Sequence, residues 1–312
     1  MTLFPWEIRN RGAGWRRIKK VVDMEVFGFA IRMNTATGFI IAALATCVLY
    51  FVLGRKTEFS LHAIQNASAS ILINVANIFA MAFFVKDINR FMQSTYEALA
   101  IPTLPETFWA GVPLWAIAIM GIMARDFADY CNHRLMHTTW GWPAHAAHHS
   151  DTHVNAFTSF RVHFLESIVM TASYIVLLTW LQIPEALPIV VVFHVLHNIY
   201  VHLDVDIDHG PFKYLIASPN FHRWHHADVE VAHGKNLANV MPLWDKLFGT
   251  YYYPGVCKEE MGALKTGIED KNPVLIYIYP FQEWARLITR AWRRNIKPRL
   301  DASNQEEPAH QD

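Results

Sequence analysis

The chain has 312 residues, 53% of them apolar and only 17% charged, with eleven Trp and twenty Phe. Its formal net charge is zero at neutral pH, which leaves no electrostatic case for a nucleic-acid partner. So apolar a composition points to one membrane-embedded unit rather than two soluble domains. Residues 1–36 carry Arg9, Arg11, Arg16, Arg17, Lys19, Lys20 and Arg32 interleaved with Trp6, Trp15, Val21, Val22 and Phe27. That mixture reads as a basic amphipathic segment lying along an anionic membrane surface, with no cleavable signal. Residues 37–124 read as the transmembrane region, with uncharged runs at 37–53, 64–85 and 107–124. Asn66, Asn74 and Asn77 in the second run need other helices, not lipid, as neighbours. The apolar stretch 167–200, interrupted by Pro184 and Pro188, reads as a membrane hairpin. Residues 256–300 form a C-terminal amphipathic segment rich in arginine, and 301–312 read as a disordered tail.

Fifteen of the seventeen histidines fall between His133 and His233. They form the clusters His133-x-x-x-His137, His145-x-x-His148-His149 and His222-x-x-His225-His226. On a helix, positions three or four apart share a face, so His133 and His137 can aim at one point. Adjacent residues diverge by about 100°, so an H-x-x-H-H cluster suits two metals side by side better than one. Eight imidazoles exceed the four ligands of a tetrahedral zinc. They fit a pair of metals that keep open positions. His197 is expected to add a further ligand, and His194 and His202 are weaker candidates on the same stretch. Asp126 and Asp129 recur on the face of His133 and His137, as expected of carboxylates that orient metal-bound imidazoles. Cys47, Cys131 and Cys257 lack metal or disulfide-framework spacing, and no G-x-G-x-x-G or Walker loop is present.

From Asp126 to Tyr253 these boxes resemble the fatty acid hydroxylase superfamily, also called the sterol desaturase family. Asp126 to His137, His145 to Ser150, and Pro219 to His226 resemble its successive histidine boxes, and Trp244 to Thr250 resembles its closing segment. Asn155, Arg161, His163 and Glu166 match a polar signature after the second box, and Asn236 and Asp245 accompany the third. Phe164 stands where many relatives have Pro, and Leu237-Ala238 replaces a common Tyr-Gly. The resemblance implies an all-α integral membrane bundle, with a membrane-adjacent helical cap (125–255) holding two iron ions that zinc can replace on purification. It also implies a lipid substrate, O2 and a separate electron donor such as a cytochrome b5-like protein, a ferredoxin or a reductase.

Imidazole suits iron, zinc, copper and nickel alike, so iron rests on the resemblance. Lipid hydroxylation and lipid desaturation use the same ligands and are not separated by them. A membrane haem or metal-transport protein would place paired histidines deep within spanning helices. A zinc hydrolase would need a glutamate base as in H-E-x-x-H, which is missing. Basic residues at both ends favour the cytoplasm. Three full crossings before His133 would put the first histidines outside, so 88–106 is expected to turn back or cross partially, leaving the metal site on the cytoplasmic side.

Overall fold

The computed structural model describes residues 23–26, 29–32, 60–183 and 185–295. The expected span 37–53, most of the N-terminal segment and the tail 301–312 lie outside the described residues. Within 1–36 the described backbone is a hairpin: β1 (Asp23–Val26) pairs antiparallel with β2 (Phe29–Arg32), Asp23 opposite Arg32. The body is all-helical, as expected, with α1 (Leu61–Ala98), α2 (Leu114–Met136), α3 (Trp142–His149), α4 (Phe164–Leu181), α5 (Leu187–Val201), α6 (Pro219–His226), α7 (Leu243–Phe248) and α8 (Pro273–Asn295).

Four long helices alternate in direction, with α4 packed against both α1 and α2, and α2 against α5. The Ser60 hydroxyl caps the start of α1, accepting from Ala63 N at 3.1 Å. The helix then runs 38 residues, about 57 Å at 1.5 Å per residue. The stretch 88–98 therefore continues α1, and the chain reverses only after it, from Leu99 onward, within the expected 88–106. The helical stretch contains no Gly or Pro to stop it; the break comes at Leu99 and Ala100, the latter with φ of 47°. The return loop docks on the far end of α4, where Leu104 N and Trp109 Nε1 donate to Trp180 O and Leu181 O at 3.0 and 2.7 Å. The expected run 107–124 is likewise divided, into a 3-10 turn at Glu106–Trp109 and α2 beginning after Pro113.

Helices α4 and α5 cover the two apolar halves of the stretch 167–200. Asn132 Nδ2 donates to Ser173 Oγ at 2.5 Å and Tyr174 OH to Asp129, tying α2 to α4. Gly121 makes the approach to the α4–α5 turn possible. A Cβ there would stand 2.7 Å from Ile183 Cδ1 and 2.8 Å from Val190 Cγ2.

Leu61–Phe84 and Phe164–Leu181 are long and apolar enough to cross a membrane, and Leu187–Val201 is a shorter apolar helix. Their apolar side chains mostly point outward, Leu72 and Phe83 among them at 54% and 78% exposure. A bilayer, not a protein core, is the solvent that such surface fits. The beginning of α1, the end of α2, the beginning of α4 and the end of α5 all lie at one end of this bundle. The cap of short helices sits there. Its core is small-residue packing, with Ala146 and Ala147 of α3 against Ala69 and Ile73 of α1 and Ile276 and Tyr279 of α8.

Candidate metal centre

Each histidine cluster sits where local sequence forces a short helix or a helix end. His133 and His137 close α2, one turn apart. The chain then reverses through Gly141, whose Cβ, if present, would lie 2.2 Å from Leu135 O. Pro143 starts α3, which carries His145, His148 and His149. The Ser218 hydroxyl accepts from Phe221 N at 3.2 Å, and Pro219 occupies the first turn, so α6 presents His222, His225 and His226.

The fold gathers these side chains into two groups. One nitrogen from each of His133, His137, His145, His149 and His225 lies within 4.8 Å of the others, and a second such group contains His148, His202, His222 and His226. As the spacing required, neighbours His148 and His149 go to different groups, and so do His225 and His226. His197, expected as a ligand, is in neither group; it stacks on Phe193 at 5.7 Å. His194 Nδ1 bonds Val190 O at 2.9 Å and also stays outside. His202, the weaker candidate, stands in the second group. The helical register explains the exchange: α5 ends at Val201, and His202 at its cap reaches past the bundle into the cap region.

The hydrogen bonds fix which nitrogen points inward. His133 Nδ1 faces Leu237 O at 2.7 Å, His225 Nδ1 faces Lys235 O at 2.8 Å and His202 Nδ1 faces Asn198 O at 2.6 Å. His145 Nδ1 faces Glu166 Oε1 at 2.8 Å. Carbonyl and carboxylate oxygens only accept, so each Nδ1 carries the proton and each Nε2 turns a lone pair inward. Those lone pairs crowd one another: His133 Nε2 is 3.0 Å from His145 Nε2, and His202 Nε2 is 2.9 Å from His222 Nε2 and 3.2 Å from His148 Nε2. His137 Nε2, His149 Nε2 and His225 Nε2 are buried without any partner. Burial, and repulsion from neighbouring imidazoles, hold His133, His137, His148, His149, His222 and His226 well below the ordinary imidazole pKa. His225 is pushed down to about 3 and His202 to about 4, in both cases mainly by burial. Neutral imidazoles with converging lone pairs are what a cation needs, and buried polar atoms rarely stay unpartnered. The residues fit a pair of metal ions.

The supporting polar residues divide by what they touch. Of the eight expected to back the metal site, Glu166 alone bonds a clustered histidine through its side chain. Asp245 acts one step removed, accepting from Leu237 N at 2.7 Å, Ala238 N at 2.9 Å and Thr250 Oγ1 at 2.6 Å. It thereby shapes the loop whose Leu237 carbonyl meets His133. Asn236, at φ 55°, bridges Phe221 O and both backbone groups of Tyr252. Arg161, fully buried, donates to Ala147 O, Ser150 Oγ, Asn66 O and Asp270 O, pinning the end of α3 to α1 and the start of α8.

Asn155 caps the 3-10 turn at Ala156–Phe160 in a capping box with Thr158, and His163 Nε2 bonds Tyr277 O at 3.1 Å. Asp126 accepts from Val240 N, Met241 N and Trp244 Nε1 at 2.8, 2.8 and 2.9 Å, and Asp129 accepts from Tyr174. Neither aspartate hydrogen-bonds a histidine. The shared face with His133 and His137 holds only along the helix, and the third dimension sends the carboxylates to other neighbours. The carbonyls of Leu237, Lys235 and Asn198 were invisible to sequence reasoning, because any residue supplies one.

Residues 118–250 match the family model described as fatty acid hydroxylase. Human alkylglycerol monooxygenase is 26% identical over 190 residues, covering 61% of this chain and 40% of that protein. Ornithine lipid hydroxylase of Rhizobium tropici is 29% identical over 152 residues, covering 47% and 45%, and zebrafish (Danio rerio) alkylglycerol monooxygenase is 27% identical over 144 residues, covering 46% and 31%. The chain thus spans less than half the length of these relatives. No solved structure matches it. The matched region, less than half of the chain, contains all nine clustered histidines, so the part that carries the candidate metal centre is similar to the fatty acid hydroxylases.

Proposed function

We propose that this chain is a membrane-bound oxygenase that hydroxylates a polar lipid, using O2 and externally supplied electrons, at two iron ions held by His133, His137, His145, His149 and His225 on one side and His148, His202, His222 and His226 on the other. The observation that carries the reading is the pair of tight groups of inward-facing imidazole nitrogens. An iron pair bound there would supply the oxidant for an unactivated C–H bond, which acid–base side chains cannot break.

The chain's own residues do the rest. Nδ1–H bonds to Leu237 O, Lys235 O, Asn198 O and Glu166 hold four rings in one tautomer and orientation. Glu166, as a carboxylate on the far side of His145, makes that imidazole a stronger donor to a cation. The closed cap excludes bulk water from the four-histidine group, where all four residues are buried.

The relatives are named for hydroxylation of an ornithine lipid and for alkylglycerol monooxygenation, which favours oxygen insertion into a polar lipid over desaturation. The clusters also sit at helix ends beside the bundle, not face to face within it as axial haem ligands or a transport pathway would. We assign 37–124 to the membrane anchor, 125–255 to the catalytic region and 256–300 to its amphipathic support, with several crossings and the metal site on the cytoplasmic side. The test is to express the chain, quantify iron and zinc, and profile host lipids with and without O2. A pair of metals per chain with an O2-dependent lipid gaining one oxygen is the expected result. A lipid that loses two hydrogens instead would make the chain a desaturase, and intact protein without metal would overturn the reading.

A further inference from the structure

Beside the five-histidine group a groove of about 560 Å³ opens between the start of α3 and α8. Its floor includes His137 and the half-buried Trp142; its outer wall is Glu283, Arg286 and Arg290 of α8. The Trp142 ring lies 5.4 Å from that of His137 and 5.2 Å from that of His149. It is therefore one aromatic layer between two clustered histidines and the outside. The wall is basic. Glu283 pairs with Arg286 at 3.0 Å and with Arg290 at 3.8 Å, so one carboxylate serves two guanidiniums. Arg293 and Arg294 follow one turn on and are exposed. The side chains of Arg286 and Arg290 are 53% and 72% exposed.

The orientation of α8 separates this wall from the bilayer. Val274, Phe281, Ile288 and Trp292 are exposed at 65%, 49%, 58% and 44%. At about 100° per residue they fall on one stripe, roughly opposite Glu283 and Arg290. A bilayer that takes the stripe leaves the groove facing water.

Resting on the oxygenase reading above, we infer that this groove is the docking and electron-entry site for an acidic one-electron carrier protein, with Arg286 and Arg290 steering the carrier and Trp142 bridging it to His137 and His149. Two encounters pass two electrons, each oxidising one carrier. With two protons from water they reduce one atom of O2 to water, while the other atom enters the lipid C–H bond. Electron-transfer encounters are small and weak, and opposite charges set their rate, so a short basic wall suffices.

The test uses the metal-loaded full chain in nanodiscs with an acidic [2Fe–2S] ferredoxin as probe, reading ferredoxin affinity, its reoxidation rate and lipid product. The double variant Arg286→Glu, Arg290→Glu should weaken ferredoxin binding about tenfold or more and flatten its salt dependence. Its single turnover with dithionite should match the wild type. Trp142→Leu should slow reoxidation of bound ferredoxin without changing affinity, with Trp142→Phe recovering part of the rate.

Unchanged ferredoxin binding in the charge-reversed protein would overturn the inference. So would a raised lipid KM with donor kinetics intact, which would make the wall a lipid-headgroup site. Wild type that oxidises lipid with dithionite but never with ferredoxin would overturn it too, while leaving the oxygenase reading in place. Ferredoxin reoxidation without any oxidised lipid would do the reverse.

Discussion

The two histidine groups are built on different principles. In the five-histidine group, three rings are tethered from behind, His133 and His225 by carbonyls and His145 by a charged carboxylate, and His133 and His137 are only half-buried. In the four-histidine group every residue is buried, yet only His202 has an outer bond; Nδ1 of His148, His222 and His226 has no partner. One group is oriented by hydrogen bonds and reachable from the groove. The other is sealed and held in shape by packing. Two sites a few ångströms apart thus carry different dependence on their surroundings.

The largest break in that contrast comes from removing a ring. His225→Ala and His148→Ala should each leave a single metal per chain, the remaining ion in the opposite group, and should abolish lipid oxidation with membrane insertion intact. Metal analysis and product detection check both. A smaller effect separates the groups. Glu166→Gln keeps the shape but removes the charge behind His145, and loss of such a partner costs about 10- to 100-fold in metal affinity or activity. The loss should fall on the five-histidine group alone, as read by stepwise chelation; equal loss from both groups would contradict the independence of their supports.

Acid should sharpen the comparison next. His225 and His202 are depressed to about 3 and about 4 in the fold, and His163 to about 4, all by burial. Against an unfolded imidazole near 6.5, the unfolded chain takes up protons first. The stability these rings contribute is therefore present in full above about pH 6.5 and is lost as pH falls toward 4. Metal-free protein should melt at progressively lower temperature over that window, and bound metal should delay the loss by competing with protons. The smallest effect is expected outside both groups. His194→Ala and His197→Ala should retain a full pair of metals, whatever they do to stability, and a lost metal in either would return that residue to the site.

How much of this was legible beforehand follows from the kind of signal. Spacing along a helix is a local property, and it announced three clusters and the split of His148 from His149 without any fold. The same logic ranked His197 above His202, because only the point where α5 leaves the bundle decides which of the two meets α6. It also overreached for Asp126 and Asp129, whose common face with His133 gave direction along α2 but not the partner across it. The turn expected within 88–106 came from counting crossings, and the uninterrupted helix through 88–98 places it at the end of that stretch, from Leu99 onward.

By itself, then, the amino-acid order determined helices long and apolar enough to cross a membrane, a histidine-rich metal-binding chemistry and the residues of three boxes, since apolar run length and residue spacing act within one segment. Tertiary structure alone decided how nine imidazoles sort into five and four, and that His202 stands among them. It also decided that backbone carbonyls and one glutamate set the tautomers, and that Trp142 and the arginines of α8 share a groove. Those facts depend on contacts between segments as far apart as His133 and Leu237, whose meeting no local pattern encodes.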